Sequence, residues 1–325
     1  MKFFEIDDYM DDLRGKNIVI GGRGIGKTYS SLRNALNSLP EGRKFIYLRN
    51  TDIQLDECCS DFGNPFKKLN TDLGDNVRMV RKKQHANILD KDDNIIGYGV
   101  ALSTFSNLRS VDLSDVDLVI FEEFIEKRTL SFDQFDAFTH FYETVNRNRE
   151  LFGETALTVI MLSNAQKLDN PILVGYNLIE PIEEMVRKGQ QKYKKDDIFV
   201  LLPESEISDL KANTSHYKAL KGSKAYDEII GNKFANDSMY GIVKRPLREY
   251  KALCKIDDVY IYMHKSNMKK YCCFKRATNI PEYNSKENRL AFYRAFGRTL
   301  AIEYSHGDIE FSSFLAKQKI LSLIM

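Results

Sequence analysis

The sequence predicts an α/β protein with a mainly parallel sheet, followed by a small α+β domain. Three observations predict it. Short apolar runs alternate with helix-like runs over the first 200 residues. Some of those runs are apolar throughout, as parallel strands covered on both faces are. Beyond them the chain turns polar and basic before a second set of strand-like runs begins.

Each element has its own signal. Asn17–Gly21 (NIVIG) is a short apolar strand running into a glycine loop, and Thr28–Leu39 is the helix after it, stopped by Pro40. Phe45–Leu48 (FIYL) is a second strand; Val77–Val80 and Asn94–Thr104 are further strands, partly a hairpin. Leu118–Phe121 (LVIF) fits a central parallel strand. Phe132–Arg149 is an amphipathic helix with Phe135, Phe138, Tyr142 and Val145 on one face. Ala156–Leu162 (ALTVIML) is another buried strand, and Ile198–Leu202 the last strand of this part. Residues 183–195 are strongly basic, and residues 203–245 are a polar connector. From Tyr250 onward, KALCKI, VYIYMH and KYCCFKRA predict three successive strands, then a helix around Asn288–Arg298. LAIEYS and IEFSS resemble a strand pair, and a last helix runs toward Ile324. The expected domains are residues 1–200, a linker or lid over 201–245, and a C-terminal domain over 246–325.

Composition excludes several classes. Of 325 residues, 43% are hydrophobic and 29% charged, the profile of a globular protein with real cores and not of a disordered chain. No apolar run approaches the roughly 18 residues of a membrane span, so no membrane partner is expected. The N-terminal stretch lacks a basic n-region and a long apolar h-region, so secretion is not expected. Five cysteines, two pairs of them adjacent, match neither zinc spacing nor a disulfide framework and predict reduced thiols in a cytosol. The net charge of +2 hides an asymmetry: residues 206–325 hold 21 Lys and Arg against 13 Asp and Glu. A basic back half fits a polyanion partner, or simply a solvated surface.

The sharpest motif is Gly21-Gly22-Arg23-Gly24-Ile25-Gly26-Lys27-Thr28, with Tyr29 after it, which satisfies G-x-x-x-x-G-K-[ST]. Glycines let the backbone curl so that successive N–H groups face phosphate oxygens, and the following helix presents its positive end to the same anion. Lys27 would neutralise the outer phosphates of ATP, and the Thr28 hydroxyl would ligate Mg²⁺. Glu122 and Glu123 end the strand Leu118–Phe121, the place for a metal-holding acid (Glu122) and a base for the attacking water (Glu123). Asp117 lies at the wrong end. Asn164, at the end of ALTVIML, is a candidate γ-phosphate sensor. Arg147 and Arg149 close the aromatic helix: Arg149 continues its packed face, and Arg147 points away from it. Arg147 is the first candidate for an arginine supplied to a neighbouring subunit's site, and Arg109 the second.

Together GGRGIGKTYS, LVIFEEFIEK, VNRNRE and MLSNA followed by Asn170-Pro171 resemble, in this order over roughly residues 15–175, the DNA-packaging motor ATPases of small tailed podoviruses, the phi29-like encapsidation proteins of the Picovirinae. The resemblance implies a P-loop NTPase domain of the additional-strand, catalytic-glutamate (ASCE) type. It implies a ring, a pentamer, with ATP hydrolysed at subunit interfaces. The ring would dock on a prohead portal with a structural RNA, in the host cytoplasm, and drive double-stranded DNA inward. It puts the trans finger at Arg147 and a second interface cation at Arg109. It also implies a ribonuclease-H-like C-terminal domain that no longer cuts. The chain departs from the pattern at Glu122, where a family member can have Asp. Asp257, Asp258, Asp308 and Glu310 are the carboxylates available for cutting. Lys244, Arg245, Arg248, Lys265, Lys269, Lys270, Lys275 and Arg276 are candidate nucleic-acid contacts. Thr51–Asp75 could supply a pore loop through Lys67 and Lys68. The competing functions are a nucleotide-gated adaptor without turnover and a large-terminase-like motor with an active nuclease.

Overall fold

The computed structural model describes residues 2–108, 112–126, 130–164, 168, 170–222 and 241–324. The chain divides into two compact units, Met1–Gly175 with Pro181–Ala235, and Tyr176–Glu180 with Asn236–Met325.

The first unit is built on nine strands: β1 (Lys16–Ile20), β2 (Lys44–Arg49), β3 (Arg78–Arg81), β4 (Ala86–Leu89), β5 (Ile95–Ala101), β6 (Val116–Glu122), β7 (Thr158–Ser163), β8 (Lys192–Lys195) and β9 (Ile198–Leu201). Their order is β3-β4-β5-β2-β6-β7-β1-β9-β8. The stretch from β5 to β9 is parallel throughout, and the edges are antiparallel. The apolar runs occupy the interior positions: Val119, Ile120 and Phe121 of β6 and Val159, Met161 and Leu162 of β7 are buried. Five helices flank these strands: α1 (Lys27–Ser38), α2 (Asp52–Cys58), α3 (Lys67–Leu73), α4 (Gln134–Asn146) and α5 (Pro171–Gly175). Later in the chain come α6 (Ile179–Lys188), α7 (Glu206–Ala212) and α8 (Ser215–Ala219).

Two local expectations need correcting, and one basic run finds its place. Thr51–Asp75 is not an open loop. Thr51 and Gln54 exchange side-chain-to-backbone hydrogen bonds in a capping box that starts α2, and α3 follows, with Lys68 paired to Asp72. The basic run over 183–195 contains the end of α6 and the edge strand β8, whose three lysines are exposed as an edge allows. The aromatic helix ends early: α4 stops at Asn146, because Arg147 takes φ 47° and the Asn146 side chain turns back to accept from the Leu157 N–H.

The second unit carries β10 (Tyr250–Ile256), β11 (Val259–His264), β12 (Lys270–Cys273), β13 (Glu282–Tyr283) and β14 (Ile309–Phe311), in the order β13-β10-β11-β12-β14. The first three make an antiparallel meander, and β13 and β14 add to its two sides in parallel. LAIEYS is a correction: it lies in α10 (Arg298–Ser305), which α9 (Arg289–Phe292) joins through one wide turn at Tyr293–Gly297. Leu300 faces a core of Cys254, Ile261, Cys272, Phe292, Phe311 and Ile320, which α11 (Phe314–Ile324) closes. No helix among the described residues is long and apolar enough to cross a membrane. All five cysteines carry free thiols, and burial pushes Cys254 up to about 12.

Close packing of β5 against β2 depends on Gly97, where a Cβ would lie 2.6 Å from the Phe45 carbonyl oxygen, a backbone atom that cannot turn aside. Gly97→Ala is expected to cost about 1–3 kcal/mol, read from urea midpoints. An unchanged midpoint would contradict this packing.

Candidate nucleotide-binding site

The parallel strands bring the motif residues to one edge of the sheet. β1 delivers Gly21, whose N–H donates to the Ser163 carbonyl at the end of β7 (3.1 Å). Buried Ile25 pins the loop from below, and its carbonyl accepts from the Phe4 N–H (2.9 Å). Gly24 and Gly26 adopt φ 71° and 104°, which side-chain-bearing residues rarely do, and Gly26 caps α1. This curled backbone leads straight into the N-terminus of a 12-residue helix.

Lys27, only 7% exposed, folds back over the loop. Its Nζ donates to the carbonyls of Gly21 (2.9 Å) and Gly22 (2.8 Å) and to Asn164 Oδ1 (3.1 Å). Burial pulls its pKa down to about 8, against the pull of Glu122. Because β7 lies between β1 and β6, the loop and the β6 carboxylates are separated by two strand spacings, about 10 Å. A cavity of about 710 Å³ fills that gap. Arg23, Gly24, Gly26, Lys27, Thr28, Tyr29, Glu122, Glu123 and Asn164 all line it, together with Ser163, Phe3, Glu5, Lys68 and Asp72.

The two glutamates differ. Glu122 is hydrogen-bonded to the Thr28 side chain, and burial pushes its pKa above the usual carboxylate range against Thr28, Arg49 and Lys27. Its Oε2 is buried without a hydrogen-bond partner. A buried carboxylate oxygen with no donor, beside a hydroxyl and lining one cavity with the glycine loop, fits a hard cation that keeps most of its waters. No group of three or more His, Cys, Asp or Glu among the described residues is placed to hold a metal ion alone. Glu123 stands more open, with φ 51° and a half-exposed side chain whose Oε2 accepts from Arg49 Nη2 (2.8 Å).

Other candidate residues fall elsewhere. Arg147 does not line the cavity; its side chain is 52% exposed, with Asp112 at 3.9 Å. Arg109 lies outside the described residues. Arg149 is buried, though on the short turn after α4. It donates to Asp117 Oδ1 (3.1 Å) and to the Val116 carbonyl (2.5 Å), at the far end of β6 from the cavity. Asp117 also pairs with Arg43. In the second unit Lys270 is buried against Glu303 (2.8 Å), so it is not a surface contact, and Arg245 is held by Glu310 (2.7 Å).

Sequence reasoning missed the residues behind Glu123. Buried Arg49 and Asn50 end β2, the strand beside β6. Asn50 Nδ2 donates to the Glu123 carbonyl (2.9 Å) and to Glu126 (3.0 Å). Fully buried Gln134 donates to Asn50 Oδ1 (2.7 Å) and the Phe124 carbonyl (2.6 Å), and accepts from Asn170 Nδ2 (2.7 Å). The signal was available: Arg-Asn directly after FIYL is a polar pair at a strand's carboxyl end, like Glu122 and Asn164.

A curled glycine loop, a lysine and threonine at its helix, and paired acids two strands away sit on one edge of the sheet, and the class the fold defines is an α/β protein with a mostly parallel sheet. The family of podovirus DNA encapsidation proteins (Gp16) matches residues 2–260, and the chain belongs to this family. It is 30% identical to the DNA packaging protein of Bacillus phage B103 over 70% of this chain and 67% of that one. It is 28% identical to the DNA packaging protein of Bacillus phage phi29 over 70% of this chain and 65% of that one. The chain is also similar in fold to a subunit of the bacteriophage phi29 genome packaging motor assembly (TM-score 0.69, 19% identity, 99% of each chain). It is similar to the N-terminal domain of the phi29 DNA packaging ATPase as well (TM-score 0.50, 26% identity, 63% of this chain and 97% of that one).

Gln134→Ala would leave buried Asn50 Oδ1 without its donor and take one acceptor from Asn170 Nδ2, so a loss of about 1–3 kcal/mol is expected. Asp136→Ala, on the exposed side of the same helix, should change stability by less than about 0.5 kcal/mol. Equal urea midpoints for the two variants would contradict the network.

Proposed function

We propose that the chain is an ATPase subunit of a ring motor that drives double-stranded DNA into a viral prohead. The observation that carries this is the cavity between Lys27 with Thr28 and Glu122 with Glu123. It is sized and charged for a triphosphate. The loop amides and the α1 N-terminus bind the phosphates, and Lys27 exchanges its carbonyl partners for phosphate oxygens. Thr28 and Glu122 would hold Mg²⁺, which would neutralise charge between the outer phosphates. Glu123, oriented by Arg49, accepts the proton of the attacking water. Asn164 reports on the γ-phosphate from the end of β7.

Family membership supports the coupling to DNA, since the related proteins are named for DNA packaging. The exposed position of Arg147, away from its own cavity, supports a role in a neighbouring subunit's site, with Arg109 as second interface cation. A pentameric ring at the portal, contact with its structural RNA and a place in the host cytoplasm complete the proposal.

The C-terminal unit is proposed as an inactive ribonuclease-H-like domain. Its carboxylates are each engaged separately, which supports that role: Asp258 with Lys319 (2.6 Å), Glu310 with Arg245, Asp308 near Lys269 (3.5 Å), and Asp257 accepting from the Ser285 N–H (2.9 Å).

The full chain with Mg²⁺ and ATP should release phosphate over many turnovers. Glu123→Gln should lower kcat by about 10²–10⁴-fold while ATP binding persists. Wild-type protein that binds ATP without releasing phosphate would instead identify a nucleotide-gated adaptor.

Lys27 gives a pH prediction. Free protein loses the Lys27 proton near pH 8, whereas bound phosphates favour the charged amine. ATP affinity should therefore be level below pH 8 and fall above it, by at most about tenfold per pH unit. Affinity that stays level to pH 9.5 would contradict the lowered pKa of buried Lys27.

A further inference from the structure

The turn between β3 and β4 carries Arg81-Lys82-Lys83-Gln84-His85, and the proposed function leaves it without a role. Lys82 and Lys83 are exposed, and neither pairs with a carboxylate among the described residues. Other basic residues of this unit are engaged: Arg78 pairs with Asp93, Lys44 with Asp115 and Lys68 with Asp72. Lys82, Lys83, Gln84, His85 and Asn87 line a shallow groove of about 540 Å³ with no carboxylate in its wall.

The tip is rigidly presented. Arg81 Nη2 and Nε are held by Asp52 (2.7 Å) and Asp56 (2.6 Å) of α2. The Lys82 N–H donates to the His85 carbonyl (2.7 Å) and closes the turn, and the His85 ring stands edge-on to Tyr98. Its placement follows from register. β4 runs antiparallel to β5 with Ala86 opposite Gly99, and β5 runs parallel to β2 and β6. The tip therefore projects from the same carboxyl edge that carries Glu122, about 14 Å along it, three strand spacings away.

We infer that this hairpin tip is a contact for the sugar–phosphate backbone of duplex DNA, made by Lys82 and Lys83. The inference rests on the DNA-packaging reading. Long-stemmed ammonium groups without internal partners, flanked by neutral donors on a fixed ribbon, suit phosphates and carry no base readout. That is the chemistry required of a surface that must accept any sequence. The candidate contacts of the basic C-terminal half are a separate set on the other unit.

The test compares full-length wild type with Lys82→Ala/Lys83→Ala, using fluorescence anisotropy on a labelled 30-base-pair DNA duplex across a KCl series. A labelled RNA hairpin is run in parallel, and circular dichroism and ATP binding serve as controls. Two lost phosphate contacts should reduce the slope of log affinity against log salt by about 1.8, with melting and ATP binding unchanged. An unchanged DNA slope overturns the assignment, including the case in which only the RNA slope falls. Wild type that fails to bind the duplex at low salt would instead remove the DNA-packaging reading itself.

Discussion

Everything at the candidate site depends on opposite charges held in one place with no ion-pair partner for either among the described residues. Lys27 is buried against two carbonyls and an amide oxygen, and Glu122 keeps an oxygen with no donor at all. An arrangement of this kind costs stability in the free chain. In the proposed function a triphosphate with a divalent cation would supply both counter-charges, phosphate oxygens for the ammonium and a positive charge for the carboxylate.

The sheet sets this separation. Strand order puts β7 between the strand that ends in the phosphate loop and the strand that ends in the glutamates, and all three point the same way. The flanking β2 then ends beside β6, where Arg49 and Asn50 can hold Glu123 in a positive-φ conformation. That conformation carries strain of order 1 kcal/mol or more. Behind it Gln134 and Asn170 satisfy each other and the Phe124 carbonyl. Position at the site is thus inherited from topology, and orientation from a buried polar network.

What could be read from the sequence follows this division. The glycine loop was legible because its backbone demands glycine at Gly24 and Gly26 and because its lysine and threonine have fixed offsets. β6 and β7 were legible because strands covered on both faces need unbroken apolar runs. Arg49, Asn50 and Gln134 were not, since their roles exist only once β2 lies beside β6, a fact no local window contains. LAIEYS misled because six residues with scattered apolar positions fit either period. The helix wins there because Leu300 reaches the core from one face of a continuing turn. Arg147 does stand out from the packed face, but through a backbone that leaves the helix and not through helical periodicity.

The most direct measurement of the central claim is a structure of the full chain with Mg²⁺ and a non-hydrolysable ATP analogue. The account predicts outer phosphate oxygens within hydrogen-bond reach of Lys27 Nζ, and a metal about 2.1 Å from the Thr28 hydroxyl with Glu122 joined to it directly or through one water. A nucleotide seated elsewhere, or a metal remote from Glu122, would contradict it.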